Sequence, residues 1–188
     1  NMSNTLDDFK NFFSPNKIKS EFFIKDCIEQ SLDLSKYLLN QENIEVRLFI
    51  RKNIKINTYY NELSHVFLNI ISNSKDALCS NVNKNDRIIK IIVNIFKNNL
   101  IVNIVDNGGG IQNDILPKIF EPYYTTKYKS AGTGIGLYMT KQIIEKHMNG
   151  EITCKNISHK IKDNRVFDCS LFKIKIPIIN ENKKDENG

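Results

Sequence analysis

Long apolar runs, clustered cysteines, basic blocks and internal repeats are all missing from this sequence, and each absence removes a class of protein. No stretch approaches the roughly 18 apolar residues that a membrane-spanning helix needs, so the segment is not expected to span a bilayer. No secretory leader pattern opens the chain. It begins at Asn1 rather than Met and is expected to be a piece of a longer protein. The four cysteines, Cys27, Cys79, Cys154 and Cys169, form no C-x-x-C pair. They read as buried thiols in a reducing compartment rather than as a disulfide framework. The three histidines, His65, His147 and His159, are too dispersed to complete a zinc site with them. The net charge of +6 comes from lysines spread along the whole chain. Without a compact basic block or stacking aromatics, a nucleic-acid partner is not expected. A basic surface suits a polyphosphate or an acidic partner protein equally well.

What is present is the composition of a folded domain: 188 residues, 40% apolar and 26% charged, enough chain to bury a core. Residues 1–19 carry Met2, Leu6, Phe9, Phe12 and Phe13 at helical spacing until Pro15 stops the pattern. They read as the last turns of an upstream helix and a linker. Ser20 is the expected N-cap of a helix running to about Asn40, with Phe23, Ile24, Cys27, Ile28, Ser31, Leu32, Ser35, Leu38 and Leu39 as its inward stripe. Ile44, Val46, Leu48 and Ile50 alternate as in a half-buried strand. A second helix is expected over about 61–80. Strands near 87–96 and 100–105 follow, joined by a turn at Lys97-Asn98-Asn99. A helix near 136–148, stopped by Gly150, precedes strands near 151–157 and 166–176. The polar tail 180–188 is expected to be disordered, which leaves 20–179 as the domain. Segregated strands and helices predict an α/β (α+β) two-layer sandwich, a mixed sheet covered on one face by helices.

Three stretches carry chemistry. In the second helix, Asn73 lies in an apolar seam with Leu63, Val66, Ile70 and Ala77, and Asn69 lies one turn earlier. A buried amide needs partners; it is either a structural hydrogen-bonding group or a hard oxygen ligand suited to Mg²⁺. Next, the apolar strand IVNIVD ends at Asp106 and runs into three glycines and Ile111. It is either a simple glycine turn or a carboxylate that accepts from an exocyclic amino group, with Gly108 and Gly110 letting backbone approach a flat ligand. Third, GTGIGL, Gly132 to Leu137, opens a helix, where free N–H groups favour an anion. It is neither a dinucleotide fingerprint nor a P-loop. Between the last two, KIFEPYYTTK offers Phe120, Pro122, Tyr123 and Tyr124 as loop anchors and Lys127 as a phosphate contact or a solvated lysine.

The order and spacing of these stretches resemble the Bergerat-fold ATP-binding family, and within it the sensor histidine kinases, over about residues 40–177. Asn69 to Asn73 match the family's N box, DNGGGI its first glycine box, IFEPYYTTK its F box and GTGIGL its second glycine box. The F box and its spacing to GTGIGL are similar to nitrogen-regulator-like kinases. The resemblance implies ATP and Mg²⁺ as cofactors, with Asn73 as metal ligand and Asn69 and Lys127 assisting catalysis. It implies Asp106 on the adenine amino group and Gly108, Gly110 and Ile111 beside the base. Thr126, Lys127, Gly132, Thr133, Gly134, Ile135, Gly136 and Leu137 would lie along the nucleotide, and 111–131 would form a lid. Two positions depart from the pattern. Ser74 replaces the usual Ala, a change expected to be harmless. Asp76 replaces a residue that is often basic.

The ATP-hydrolysing branch of the family carries Glu where Asn69 stands, and an amide cannot take a proton from water. Transfer to a histidine on an upstream dimerisation domain is therefore the implied reaction. None of His65, His147 and His159 is followed by an acidic residue in the acceptor pattern, so this segment is expected to bind ATP without phosphorylating itself. The implied partners are that dimerisation domain, a response regulator and, in the full protein, a second copy of the chain. A cytoplasmic domain is expected, with inner-membrane anchoring of the whole protein left open. The alternatives are an anti-sigma-type serine kinase, which lacks the upstream helix, and an inactive nucleotide-binding scaffold.

Overall fold

A computed structural model of the chain describes residues 18–125 and 134–178. Strand β1 (Ser20–Phe23) leads into helix α1 (Ile24–Gln41), followed by β2 (Glu45–Ile50) and β3 (Lys55–Thr58). Helix α2 (Tyr60–Asn81) precedes the hairpin β4 (Ile88–Phe96) and β5 (Asn99–Asp106). After a 3₁₀ turn at Leu116–Lys118 come helix α3 (Gly136–Gln142), a π-helical turn (Ile143–His147), and the hairpin β6 (Glu151–Lys162) and β7 (Arg165–Pro177). The main sheet has five strands in the order β2-β4-β5-β7-β6. The β2–β4 pair is parallel and the remaining pairs are antiparallel, so the sheet is mixed, as expected.

Ser20 does not cap a helix. Residues 20–23 are extended and pair antiparallel with 55–58, Ser20 opposite Thr58. Helix α1 begins only at Ile24, with no side-chain cap. A short polar-apolar run shows no pairing partner in the sequence, so neither β1 nor β3 is legible there; their pairing exists only in the fold. The α1 stripe is also narrower than expected: Ile24, Cys27, Ile28, Ser31 and Leu39 are buried, whereas Leu38 and Phe23 are exposed. The third helix changes to π geometry at Ile143. The two-residue turns Lys97–Asn98 and Asp163–Asn164 place both central residues in the left-handed region, which matches the twist of antiparallel strands.

Alternation along the strands builds the core. Ile89, Ile91 and Val93 of β4, Leu100, Val102 and Ile104 of β5, and Phe172, Ile174 and Ile176 of β7 all point to one face. There they meet Leu63, Val66, Phe67, Ile70, Ile71 and Leu78 of α2 and the inner residues of α1. Ser31 of α1 and Ser64 of α2 share a buried hydroxyl contact of 3.0 Å where the two helices cross. On the opposite face the far end of the β6–β7 hairpin covers a small cluster of Ile88, Val105, Ile161 and Cys169. That arm is held by Arg47, which donates to the Ile161 carbonyl at 3.1 Å, and by Arg165, which reaches Asp86 at 2.5 Å.

Arg87 closes the end of the helical layer. It is 8% exposed and donates to the carbonyls of Cys79, Val82 and Glu42 and to the Glu42 carboxylate. One guanidinium thus satisfies the C-terminal carbonyls of α2 and of the turn after α1, groups a helix leaves without partners. Among the described residues all four cysteines are free thiols. Burial pushes Cys27 and Cys154 up to about 12 and Cys169 to about 11, which suits packing rather than reactivity.

Candidate nucleotide site

Asp106 ends β5 on the inner face of the sheet and is 2% exposed. The register of β5 with β7 sets Ser170 directly opposite it. Helix α2 passes above and brings Ser74, itself 1% exposed. Both hydroxyls donate to Oδ2 of Asp106, Ser74 at 2.7 Å and Ser170 at 2.6 Å. Gly108 donates its N–H to Oδ1 at 3.0 Å. Burial holds this carboxyl above its ordinary range, and the three donors work against that rise by favouring the charged form.

The glycine segment beyond Asp106 is held from several sides. Asn107 is 2% exposed; it accepts from the N–H of Ile88 at 3.0 Å and donates to the carbonyl of Asp86 at 2.8 Å. Asn81 at the end of α2 donates to the Gly108 carbonyl at 2.8 Å. Asn156 on β6 takes the N–H of Ile111 at 2.8 Å and returns a bond to its carbonyl at 2.6 Å. A Cβ on Gly108 would lie 2.8 Å from both the Ala77 Cβ and Oδ1 of Asp106. Glycine is required there by close approach to α2, not by a turn conformation.

Asn69 and Asn73 are both half-buried on α2. Asn69 donates to the hydroxyl of Thr140 at 2.8 Å. A Cβ on Gly136 would stand 2.5 Å from its Oδ1. The first asparagine is therefore engaged with α3, and it is its amide oxygen that faces the start of that helix. Asp76 lies beside Lys75, whose ammonium is 2.6 Å away, so its charge has a cationic neighbour on its own helix.

In the F-box segment, Phe120 meets Phe172 edge-on with ring centroids 6.4 Å apart, and Lys141 of α3 sits 5.6 Å over the Phe120 ring. Pro122 and Tyr123 are exposed and do not anchor the loop as expected; Phe120 and the buried Ile119 do so. Tyr123 and Gly134 both have positive φ, 63° and 66°. A Cβ on Gly134 would come within 2.5 Å of the Tyr123 carbonyl carbon. Gly134 thus packs directly against the backbone of Tyr123. The expected site positions Thr126, Lys127, Gly132 and Thr133 lie outside the described residues, whereas Gly134, Ile135, Gly136 and Leu137 line the start of α3.

The structure thus brings Asp106, Gly108, Asn69, Asn73 and the start of α3 around one stretch of α2. Ser74, Ser170, Asn81, Thr140 and Asn156, which the sequence reading passed over or gave no role, hold those groups in place. Only Ser74 carried a signal, as a departure from the expected Ala. The others depend on strand register and helix packing.

A buried carboxylate thus stands beside a glycine segment in an α/β sandwich, with Asn69 on the adjoining helix close to Gly136 at the start of α3. Residues 58–177 match the family described as histidine kinase-, DNA gyrase B-, and HSP90-like ATPase, and the chain belongs to it. It is 33% identical over 133 residues to sporulation kinase A of Bacillus subtilis, covering 70% of this chain and 21% of that protein. It is 31% identical over 157 residues to the sensor histidine kinase ZraS of Salmonella typhi, covering 83% of this chain and 30% of that one. The chain spans less than a third of either relative. Its fold is that of a histidine kinase catalytic domain. It superposes on the catalytic domain of histidine kinase ThkA with a TM-score of 0.70 at 24% identity, covering 85% of this chain and 95% of that one. No helix among the described residues is long and apolar enough to cross a membrane.

Proposed function

We propose that the chain is the catalytic domain of a two-component sensor histidine kinase, binding Mg-ATP and transferring its γ-phosphoryl group to a histidine on a separate dimerisation domain. The observation that carries this reading is the Asp106 arrangement. A carboxylate is buried at a strand end, and its Oδ1 accepts the Gly108 N–H and keeps a second acceptor position. Such a group accepts from an exocyclic amino donor and rejects a carbonyl. The residues present fit the nucleotide: Asp106 would hold the base, Gly108, Gly110 and Ile111 would flank it, and Gly134, Ile135, Gly136 and Leu137 would run beside the phosphates. Thr126, Lys127, Gly132 and Thr133 complete the proposed set.

Asn73 offers a hard amide oxygen suited to Mg²⁺, which would neutralise phosphate charge. Asn69, tied to Thr140, orients the start of α3 toward the same region. Its amide is no base for water, which favours transfer to an external nucleophile over hydrolysis. A neutral imidazole is such a nucleophile near pH 7. The domain's own contribution is then positioning and charge neutralisation.

Residues 1–19 are proposed as the end of the dimerisation helix and its linker, 20–179 as the catalytic domain and 180–188 as a tail. The proposed partners of the whole protein are its second copy, its histidine-bearing domain and a response regulator; the kinase ThkA, whose complex with the response regulator TrrA has been solved, superposes with a TM-score of 0.69 at 20% identity. Titration calorimetry with ATP, with and without Mg²⁺, tests the first half of the proposal. Adding a histidine-bearing dimerisation segment and measuring acid-labile phosphate tests the second. Failure to bind ATP would sink both.

A further inference from the structure

Asp106 receives more hydrogen bonds than orienting a carboxylate requires, and their distribution between its two oxygens is uneven. Oδ2 accepts two hydroxyls, Ser74 at 2.7 Å and Ser170 at 2.6 Å. Oδ1 accepts one N–H, from Gly108 at 3.0 Å. A carboxylate oxygen has two lone-pair directions, so Oδ2 is saturated and Oδ1 keeps one acceptor position. Ser74 and Ser170 are 1% and 4% exposed, so neither hydroxyl has bulk water as an alternative partner. Each spends its only proton on Asp106, which fixes the carboxylate as acceptor and sets its rotation about χ2.

We infer that Ser74 is a specificity-determining positioning residue: by occupying Oδ2 together with Ser170, its hydroxyl aims the one remaining lone pair of Oδ1 at a single amino donor on the ligand base. The inference rests on the adenine reading of Asp106 proposed above. It gives a job to the one N-box position at which this chain exchanges a methyl for a hydroxyl. With alanine at 74, Oδ2 would hold one donor, and the carboxylate could turn or admit water. The discrimination between a 6-amino purine and one without that group would then weaken. Ser74 touches no reacting atom; it acts through Asp106.

The test crosses a protein change with a ligand change. The full 188-residue chain, wild type and Ser74→Ala, is titrated calorimetrically with Mg-ADP and with the 5′-diphosphate of purine riboside, which carries hydrogen in place of the 6-amino group. Wild type is expected to prefer ADP. Ser74→Ala is expected to lose about tenfold of that preference, the scale of one hydrogen bond to a charged group, with its affinity for the analogue unchanged. Ser74→Thr, which restores the hydroxyl, is expected to restore the preference. Ser170→Ala, which removes the second hydroxyl from the same oxygen, should show the same selective loss and serves if Ser74→Ala does not fold. A Ser74→Ala protein that keeps the full preference, or loses equally on both ligands, overturns the inference and leaves the adenine reading standing. A wild type with no preference overturns both.

Discussion

The side-chain amide of Asn69 donates to the hydroxyl of Thr140 at 2.8 Å, tying the helix that carries both asparagines to the helix that follows the second glycine segment. Thr140 is 1% exposed. Its hydroxyl is thus a buried polar group whose partner comes from another element, and losing one side strands the other. Thr140→Val, nearly isosteric, should cost about 1–2 kcal/mol in urea unfolding and weaken ATP binding through the altered pose of α3. Unchanged stability and affinity would show that the contact is incidental.

Asn73→Ala should leave the domain folded and remove the Mg²⁺ dependence of ATP binding. The readout is the ratio of affinities with and without Mg²⁺. A variant whose ratio equals that of wild type would exclude Asn73 as the metal ligand.

Asp106 gives a prediction about pH. Burial holds its carboxyl above the ordinary 3.8 even with three donors opposing the rise. On acidification it takes up a proton at a higher pH than an exposed aspartate, gaining an O–H donor and losing the charge that strengthens its hydrogen bond from an amino group. Adenine-nucleotide affinity should therefore fall as pH drops through that raised value. The linkage to folding has the opposite sense: with the folded pKa above the unfolded one, the buried charge costs stability as pH rises from the ordinary aspartate range through the raised value. Asp106→Asn should weaken ATP binding by about 1.5–3 kcal/mol and flatten the pH profile of binding. Calorimetry across pH checks both.

Gly108→Ala should impair binding without a turn being strained. The added methyl would stand 2.8 Å from Ala77 and from the Asp106 carboxylate, so the strand end and α2 must separate. Loss of ATP affinity, with a melting temperature a few degrees lower, is expected; full retention of both would mean that the close approach is unimportant.

Arg87→Ala should be destabilising away from the site. It strips partners from the carbonyls of Cys79, Val82 and Glu42 at once, an expected loss of about 3 kcal/mol. Denaturant unfolding measures the loss, and ATP affinity under native conditions should be close to wild type.

Much of this molecule could be read directly from its residue order. The period of α2 and the alternation in β2 are local signals, because side chains three or four apart, or two apart, must share a face, and the apolar runs of β4 and β5 are set off by the turn residues between them. Asn69, Asn73, Asp106, Gly108 and Gly136 stood out in a different way: each fits a structural role when taken singly, and only their joint order and spacing resemble the family's boxes. Pairings between distant segments were not legible. Ser20 looked like a helix cap because its strand partner lies at Thr58, and Asn156 looked like any exposed strand residue because the Ile111 backbone it clamps is 45 positions away. Ser74 seemed a neutral exchange for alanine until register and helix packing set its hydroxyl on a buried carboxylate. Hydrophobic periodicity decided which faces turn inward. Only the closed sandwich decided which buried hydroxyl meets which charge, because a hydrogen bond depends on distance in space and the sequence fixes distance only along the chain.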